Sequence, residues 1–206
     1  MTLATFFYFL GASVLLTLAP GPDNLFVITQ GITRGKRSAI LTALGMCSGI
    51  SVHTTAAALG ISAILYSSVV AFTLVKYAGA LYLLYLAYKI LKEKTVVRLS
   101  SAPALPAVAL WKQGFVMNVL NPKVAMFFLA FLPQFVTART DAVPLQMLLF
   151  GLIFMVQAAV LFCLIGYFSG HIGSALLARP RCAKYLDFLT AGVFASLGVK
   201  LALAQR

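Results

Sequence analysis

Two residues of opposite charge lie inside apolar stretches of this sequence, and each of them follows a proline. Asp23 comes directly after Pro22, and Lys123 comes directly after Pro122. A charged side chain in such a stretch is costly to bury and usually serves a function. A carboxylate there can exchange a proton or bind an ammonium group, and an ammonium group can bind a carboxylate. The pair therefore indicates a binding site for a small solute that carries both charges.

The residues around the two charges predict a break in each helix. The first break is Pro20-Gly21-Pro22-Asp23-Asn24, and the second is Asn121-Pro122-Lys123. Proline lacks an N–H and clashes with the preceding turn, so a helix does not pass through it undisturbed. At membrane depth such a break is tolerated where the freed backbone faces protein or a wet cavity. A new half-helix follows each break, and its unsatisfied N–H groups can bind a carboxylate.

The same residues also have a structural interpretation. Asn121 before Pro122 is a good N-cap and N1 pair, and capping explains this asparagine fully. Capping explains Asp23 only in part, because an amide would cap without burying a charge. Lys123 in a first turn opposes the helix dipole, which disfavours a local role, although its long side chain can snorkel. We expect Asp23 and Lys123 to face each other closely enough to interact.

Other polar residues in the apolar segments are candidate ligands. His53 lies in the middle of a predicted helix and forms either an interhelical hydrogen bond or a contact with substrate or proton. Lys76 lies about two turns inside another helix, where it either snorkels or serves transport. Asn118 lies one turn before Pro122. The candidate substrate- and proton-binding residues are Asp23, Asn24, His53, Lys76, Asn118, Asn121 and Lys123.

Composition places these residues in a membrane. The chain has 206 residues, of which 62% are hydrophobic and 10% charged, whereas soluble domains carry about 25% charged residues. The net charge of +12 comes from loops between apolar segments, which is typical of topology signals and lipid contacts rather than of nucleic-acid binding. The three cysteines lack metal-binding spacing, and we predict neither a metal site nor a cofactor.

Six apolar segments predict an all-α membrane protein with one transporter domain over residues 1–206. A polar connection over residues 92–112 divides it into halves of three helices each, residues 1–91 and 113–206. The predicted helices run from Thr5 to Thr29, Ala39 to Leu65, Val69 to Leu91, Gln113 to Phe135, Leu145 to Phe168 and Tyr185 to Leu203. Helices one and four contain the breaks.

The positive residues predict the orientation of these helices. Loops one, three and five hold eleven of the sixteen Lys and Arg residues, so they are expected in the cytoplasm and both termini outside. Lys200 and Arg206 run against this orientation. The halves are then antiparallel, and two broken helices at corresponding positions favour a 3+3 inverted repeat with a binding site between them. Glycine-rich faces, such as the one with Gly45 and Gly49, suggest a homodimer.

Several motifs resemble those of the LysE/RhtB family of amino-acid exporters. They are Pro20-Gly21-Pro22-Asp23-Asn24-Leu25, Gly49-Ile50-Ser51-Val52-His53-Thr54, Lys76-Tyr77-Ala78-Gly79-Ala80-Leu81-Tyr82-Leu83, Asn121-Pro122-Lys123 and Leu132-Pro133-Gln134-Phe135. The resemblance covers nearly the whole chain. It departs at Ala87 and at Ser38-Ala39, where the family often has glycine. It implies export of amino acids across the bacterial inner membrane in exchange for protons, and it favours a functional role for Lys76.

Three classes of function are consistent with the sequence. The first is a secondary exporter of a zwitterionic solute, with a metal-ion or other small-solute exporter as its runner-up; the scarcity of carboxylates disfavours a metal cargo. The second is an intramembrane enzyme, but His53, His171 and Cys47 form no recognisable set of nucleophile and base. The third is an assembly subunit, which has no use for buried charges. We therefore predict a transporter and not an enzyme, with small neutral amino acids as substrates.

Overall fold

The protein is described by a computed structural model at residues 2–19, 21–61, 69–92, 103–136, 142–172 and 180–203. The elements are α1 Leu3–Leu18, α2 Pro22–Arg34, α3 Lys36–Ala56, α4 Val69–Lys92, α5 Ala107–Val119, α6 Pro122–Met126, α7 Val143–Tyr167 and α8 Pro180–Leu203. Two π-helical segments, Ala57–Ile61 and Phe127–Phe131, follow α3 and α6. A 3-10 helix over Leu132–Phe135 follows the second of these π-helical segments.

Both predicted helix breaks are present. α1 meets α2 at 55°, and α5 meets the segment from Pro122 to Phe135 at 47°. In each case a proline occupies the first turn of the second helix, where its missing N–H would have no helical partner anyway. The predicted helices one and four are therefore each divided into two. Pro20, predicted as part of the first break, lies outside the described residues.

The second broken helix begins inside the predicted connection over residues 92–112. α5 begins at Ala107 and not at Gln113, because Pro106 provides an extended N-cap residue and an apolar run follows it. Lys112 is an exposed residue on this helix, where one charged side chain in contact with solvent or headgroups does not end the helical pattern. The first residues of α5 were assigned to the connection because Lys112 was grouped with its basic residues.

The last helix also begins earlier than predicted, at Pro180 rather than at Tyr185. Proline is well tolerated in a first turn, so it starts this helix instead of preceding it. The basic residues that follow Pro180 belong to the first turns of α8 and not to a loop. Some residues of the predicted loops are not fully described by the structure. Arg139, Asp141 and the turn near Ser67, which joins predicted helices two and three, lie outside the described residues. Of Cys182, only the backbone is described.

Three to five segments of the described chain qualify as membrane spans. Three helical stretches are long and apolar enough on their own, and each bent pair adds one if it is counted as a single span. The three are Lys36–Gly60, Thr73–Lys92 and Val143–Tyr167. α8 is not among the candidates found in the described residues. The membrane character is thus confirmed, whereas the six-span 3+3 inverted repeat stays a prediction.

Helix α3 lies at the centre of the bundle and packs against α2, α5 and α7. It approaches α5 at glycines: a Cβ at Gly45 would collide with the carbonyl of Trp111, and Gly114 makes the reciprocal contact with the backbone of α3. A Cβ at Gly49 would lie 2.9 Å from Asn118 Oδ1. The predicted small-residue contact is confirmed, but it joins helices within one chain. These glycines therefore do not form the dimer surface suggested above, and a homodimer remains a prediction.

The two ends of the bundle bring together the elements that the topology prediction places together. At one end, Arg34 Nε donates to the carbonyl of Pro103 at 2.9 Å, and Lys36 Nζ lies 4.8 Å from the ring centre of Tyr167. These contacts bring the turn between α2 and α3, the end of α7 and the residues before α5 together, where the sequence predicts loops one, five and three. They support one shared side for the three basic loops.

Near the start of α1, the ring of Tyr8 stacks on Phe135 at 5.4 Å. Lys200 Nζ lies 3.6 Å from the centre of the same Tyr8 ring. The start of the first helix, the end of the second broken arm and the end of α8 therefore meet. The ring gives Lys200 a favourable cation–π contact. This contact stabilises a basic residue at the end of the bundle where the predicted orientation does not favour one.

Candidate functional site

The first helix break exposes the carbonyl groups that end α1, and Asn24 satisfies them. Its Nδ2 lies 3.1 Å from the carbonyl oxygen of Thr17, 3.2 Å from that of Leu18 and 3.0 Å from that of Ala19. The amide thus caps one helix from within the next. Asn24 Oδ1 is buried and has no hydrogen-bond partner. Its predicted role in substrate binding stays a prediction, since its amide nitrogen already serves the backbone.

The second break is capped in the way the sequence predicted. Asn121 is the N-cap of α6, and its Oδ1 accepts a hydrogen bond from the backbone N–H of Lys123 at 3.0 Å. Pro122 occupies N1. The structural interpretation of Asn121 is therefore confirmed, and a contact of this residue with substrate stays a prediction.

Asp23 and Lys123 meet between the two breaks. Lys123 Nζ lies 2.7 Å from Asp23 Oδ2 and 3.0 Å from Asp23 Oδ1. The residues are 2% and 4% exposed, so this ion pair is almost fully removed from solvent. The proximity predicted from the sequence is confirmed. The carboxylate of Asp23 thus has a charged partner across the bundle, whereas the N-cap position of α2 is Gly21 and receives no side-chain hydrogen bond.

The position of Lys123 also removes an apparent conflict. A cation in the first turn of α6 opposes the dipole of that helix. The ammonium group, however, reaches across to α1 and lies 3.3 Å from the carbonyl oxygen of Ala19, at the negative end of another helix. Lys123 therefore serves the C-terminus of α1 and the carboxylate of Asp23 together.

Gly21 leaves room for this ion pair. A Cβ at this position would lie 2.7 Å from Asp23 Oδ1 and 3.3 Å from Lys123 Nζ. The backbone here is extended, with φ −164° and ψ −179°, so the requirement for glycine is one of space. Gly21, a residue of the predicted break, thus leaves space for the charged groups of Asp23 and Lys123.

His53 and Asn118 link α3 to the end of α5. His53 Nε2 lies 3.0 Å from the carbonyl oxygen of Asn118, a contact that requires the proton on Nε2. His53 therefore satisfies a carbonyl near the second break, as the interhelical interpretation predicted. Asn118 is 2% exposed, and its Oδ1 has no hydrogen-bond partner.

A cavity of about 10 Å³ lies beside the ion pair. Its lining contains three of the predicted ligands, Asp23, Asn118 and Lys123. Lys76 is not in this lining; it is half-buried on α4, with Nζ 4.6 Å from the ring centre of Tyr77. The complete lining is Leu16, Thr17, Asp23, Ile50, Asn118, Lys123, Val124, Phe154 and Phe162.

Several residues of this site were not identified as ligands from the sequence. Thr17 lines the cavity, and its hydroxyl accepts a hydrogen bond from Gln157 Nε2 at 3.0 Å. Thr17 lies one turn before the first break and carried a weak signal. Gln157 is an amide in an otherwise apolar helix, which predicts weakly that it lines the same cavity; it contacts Thr17 but is not in the lining. Phe154 and Phe162 carried none, because a phenylalanine in a membrane helix faces lipid as readily as a cavity.

Apolar helices interrupted at a buried pair of opposite charges define an integral membrane protein with a polar site inside its bundle. The LysE type translocator family model matches residues 14–205. The chain belongs to this family, as its motifs predicted, and is a transmembrane transport protein.

Individual relatives agree with this assignment. The chain is 31% identical to the leucine efflux protein of Klebsiella pneumoniae subsp. pneumoniae, over 96% of this chain and 94% of the relative. It is 27% identical to the leucine efflux protein of Salmonella choleraesuis, over the same shares. It is 25% identical to the uncharacterized membrane protein YrhP of Bacillus subtilis, over 93% of this chain and 95% of that protein. No solved structure matches the chain significantly.

Proposed function

We propose that this protein is a secondary transporter that exports small amino acids or their derivatives from the bacterial cytoplasm, across the inner membrane, in exchange for protons. The observation that carries the proposal is the buried contact of 2.7 Å between Lys123 Nζ and Asp23 Oδ2, where the two helix breaks meet. The leucine efflux proteins among its relatives support amino acids as the substrate class.

An amino-acid zwitterion has the charges needed to replace this ion pair. Its carboxylate would pair with Lys123, and its ammonium group with Asp23. Asn118 Oδ1, buried without a partner beside them, is a further acceptor for the ammonium group. Each buried charge then keeps a partner when the internal pair separates, so the large cost of an unpaired buried charge is avoided.

The site must open before a substrate enters. A cavity of about 10 Å³ has room for about one water molecule, which is far less than any amino acid requires. The described arrangement therefore corresponds to a carrier closed around its own ion pair. Separation of the two broken arms, α1–α2 and α5–α6, would open the site, in keeping with alternating access around a central site.

The same ion pair accounts for proton coupling. In this proposal the ion-paired carrier does not reorient, because the contact ties the two broken arms together. Substrate releases the contact on the outward leg by supplying both charges. A proton from outside releases it on the return leg by neutralising Asp23 and is then delivered to the cytoplasm. One amino acid leaves for each proton that enters.

Counterflow in proteoliposomes tests this function. Purified protein is reconstituted, loaded with a panel of unlabelled amino acids and assayed for uptake of labelled leucine, with and without an imposed pH gradient. We expect exchange for neutral amino acids and a stimulation of net transport by the gradient. Absence of counterflow for every amino acid would overturn the proposal. Transport of divalent cations in parallel liposomes would favour the metal-ion alternative, and an inert protein would favour an assembly subunit.

A further inference from the structure

The side chains that line the cavity beside the ion pair are of two chemical kinds, which we call its polar and its apolar wall. One wall holds polar side chains, namely Thr17, Asp23, Asn118 and Lys123. The other holds apolar side chains, namely Leu16, Ile50, Val124, Phe154 and Phe162. An amino acid bound by its charged groups to the first wall would direct its side chain against the second.

We propose that the substrate side chain is aliphatic and lies between the rings of Phe154 and Phe162, and that these rings set its maximum size. This inference rests on the proposed export of amino acids and adds the chemical class of the side chain. It also assigns two residues of α7 to specificity, a role that the charge pattern of the sequence does not indicate.

The charges of the lining argue for an uncharged side chain. Among the residues described around this cavity, Asp23 and Lys123 are the charged ones, and the two α-substituents of an amino acid would occupy both. A charged side chain would add a further buried charge, and this charge would have no partner, which is strongly unfavourable. An aliphatic side chain instead gains burial against the apolar wall.

The arrangement of α7 argues for a limit on size. Phe154 and Phe162 are eight residues apart on one face, with Cα atoms about 12 Å apart along the helix. Ala158 lies midway between them and is fully buried, so a larger side chain at this position would have to take up space next to the two rings. The ring of Phe154 packs at 5.3 Å against Phe127 and at 5.2 Å against Phe128. This ring is therefore held in place and cannot easily swing aside for a larger side chain.

The experiment compares substrates within each preparation. Wild type and the variants Phe154→Leu and Ala158→Val are reconstituted, and counterflow of alanine, leucine and phenylalanine is measured in each. Phe154→Leu should raise phenylalanine transport relative to leucine by about 10-fold, the low end for one hydrophobic contact. Ala158→Val should change selectivity in the opposite direction, lowering leucine relative to alanine. Because each ratio comes from one preparation, a loss of folded protein does not affect it.

Phe150→Leu is the matched control. Phe150 lies one turn before Phe154 on α7 and is equally buried, at 1% exposure. Its ring packs against Phe9 at 4.6 Å and does not line the cavity. This variant should keep the wild-type substrate ratios. Unchanged ratios in both Phe154→Leu and Ala158→Val, with an active wild type, would overturn the inference alone. A wild type without counterflow of any amino acid would instead overturn the proposed function.

Discussion

The ammonium group of Lys123 contacts Asp23 at 2.7 Å and the Ala19 carbonyl oxygen at 3.3 Å, although about a hundred residues separate Lys123 from both. One side chain from the second broken arm thus satisfies both the charge and the open helix end of the first arm. Neither arm is complete by itself, since the buried carboxylate of the first and the buried ammonium group of the second pair with each other. The two breaks therefore form one site.

Single and double substitutions of this pair should have unequal effects on stability. Lys123→Met should lower the free energy of unfolding by about 3–5 kcal/mol, because it leaves the Asp23 carboxylate buried without its partner. Asp23→Asn should cost less, since the amide oxygen still accepts from Lys123. The double variant should be more stable than Lys123→Met alone, because no unpaired charge remains. Thermal unfolding in detergent measures the cycle.

The same variants separate a structural pair from a transport pair. If the ion pair serves transport, the double variant remains folded but loses efflux and its response to a pH gradient. A folded double variant with full gradient-driven efflux would show that the charges only hold the arms together. Full transport by Asp23→Asn would likewise exclude Asp23 as the proton carrier.

Replacement of asparagine by serine should reduce stability by different amounts at the two helix breaks. Asn121→Ser keeps an N-cap acceptor for the backbone N–H of Lys123, so stability should change by less than about 1 kcal/mol. Asn24→Ser is too short to reach the three carbonyls that end α1, so it should cost about 1–3 kcal/mol. Melting temperatures of the two variants in the same detergent make the comparison. Equal losses would contradict the capping role assigned to Asn24.

The helix breaks could be predicted because they depend on local chemistry, and the facing charges because the two breaks take corresponding positions in the two halves. Pro22 and Pro122 disrupt a helix in any context, and a charge that follows such a break has few places to be stabilised. The capping of α6 by Asn121 is local for the same reason. The breaks and this cap required no knowledge of how the arms pack.

The remaining features depend on packing across the bundle. The contact between Lys123 and the α1 carbonyl joins residues far apart in sequence, as does the hydrogen bond between Gln157 and Thr17. Whether Phe154 faces a cavity or lipid depends on the rotation of α7, which an apolar helix without a polar face does not reveal. The start of α5 at Ala107 was missed because the charge of Lys112 was interpreted as the sign of a loop. Lys112 in fact lies on the exposed face of a helix.

Alanine substitutions of glycines test the close approach of α3 and α5. Gly45→Ala should destabilise the protein, because the new Cβ would collide with the Trp111 carbonyl of α5, which is a rigid backbone group. Gly192→Ala is the control in α8, where a Cβ would have nothing within 4 Å. It should be neutral, or stabilising by up to about 1 kcal/mol through helix propensity. Detergent melting curves and expression yield distinguish the two, and a well-folded Gly45→Ala would contradict the described contact.

His53 should behave as a hydrogen-bond donor and not as a proton carrier. His53→Gln keeps an N–H donor that can reach the Asn118 carbonyl, so it should retain efflux and its stimulation by a pH gradient. His53→Leu should lose about 1–3 kcal/mol of stability, because that buried carbonyl is left without its partner. Gradient-driven efflux of both variants, normalised to folded protein, is the measurement. Loss of the pH response in a stable His53→Gln would assign the proton to this histidine.

Labelling of single cysteines tests the orientation of the bundle. In a background without Cys47, Cys163 and Cys182, Thr2→Cys should react with an impermeant maleimide added to intact cells, because both termini are predicted outside. Arg37→Cys should react only after the membrane is opened, since loop one is predicted in the cytoplasm. The contact between Arg34 and Pro103 joins predicted loops one and three at one end of the bundle. A cysteine in place of the residue after Pro103 should therefore show the same labelling as Arg37→Cys. The reverse pattern at all three positions would show that the bundle has the opposite orientation in the membrane, and it would overturn the predicted topology.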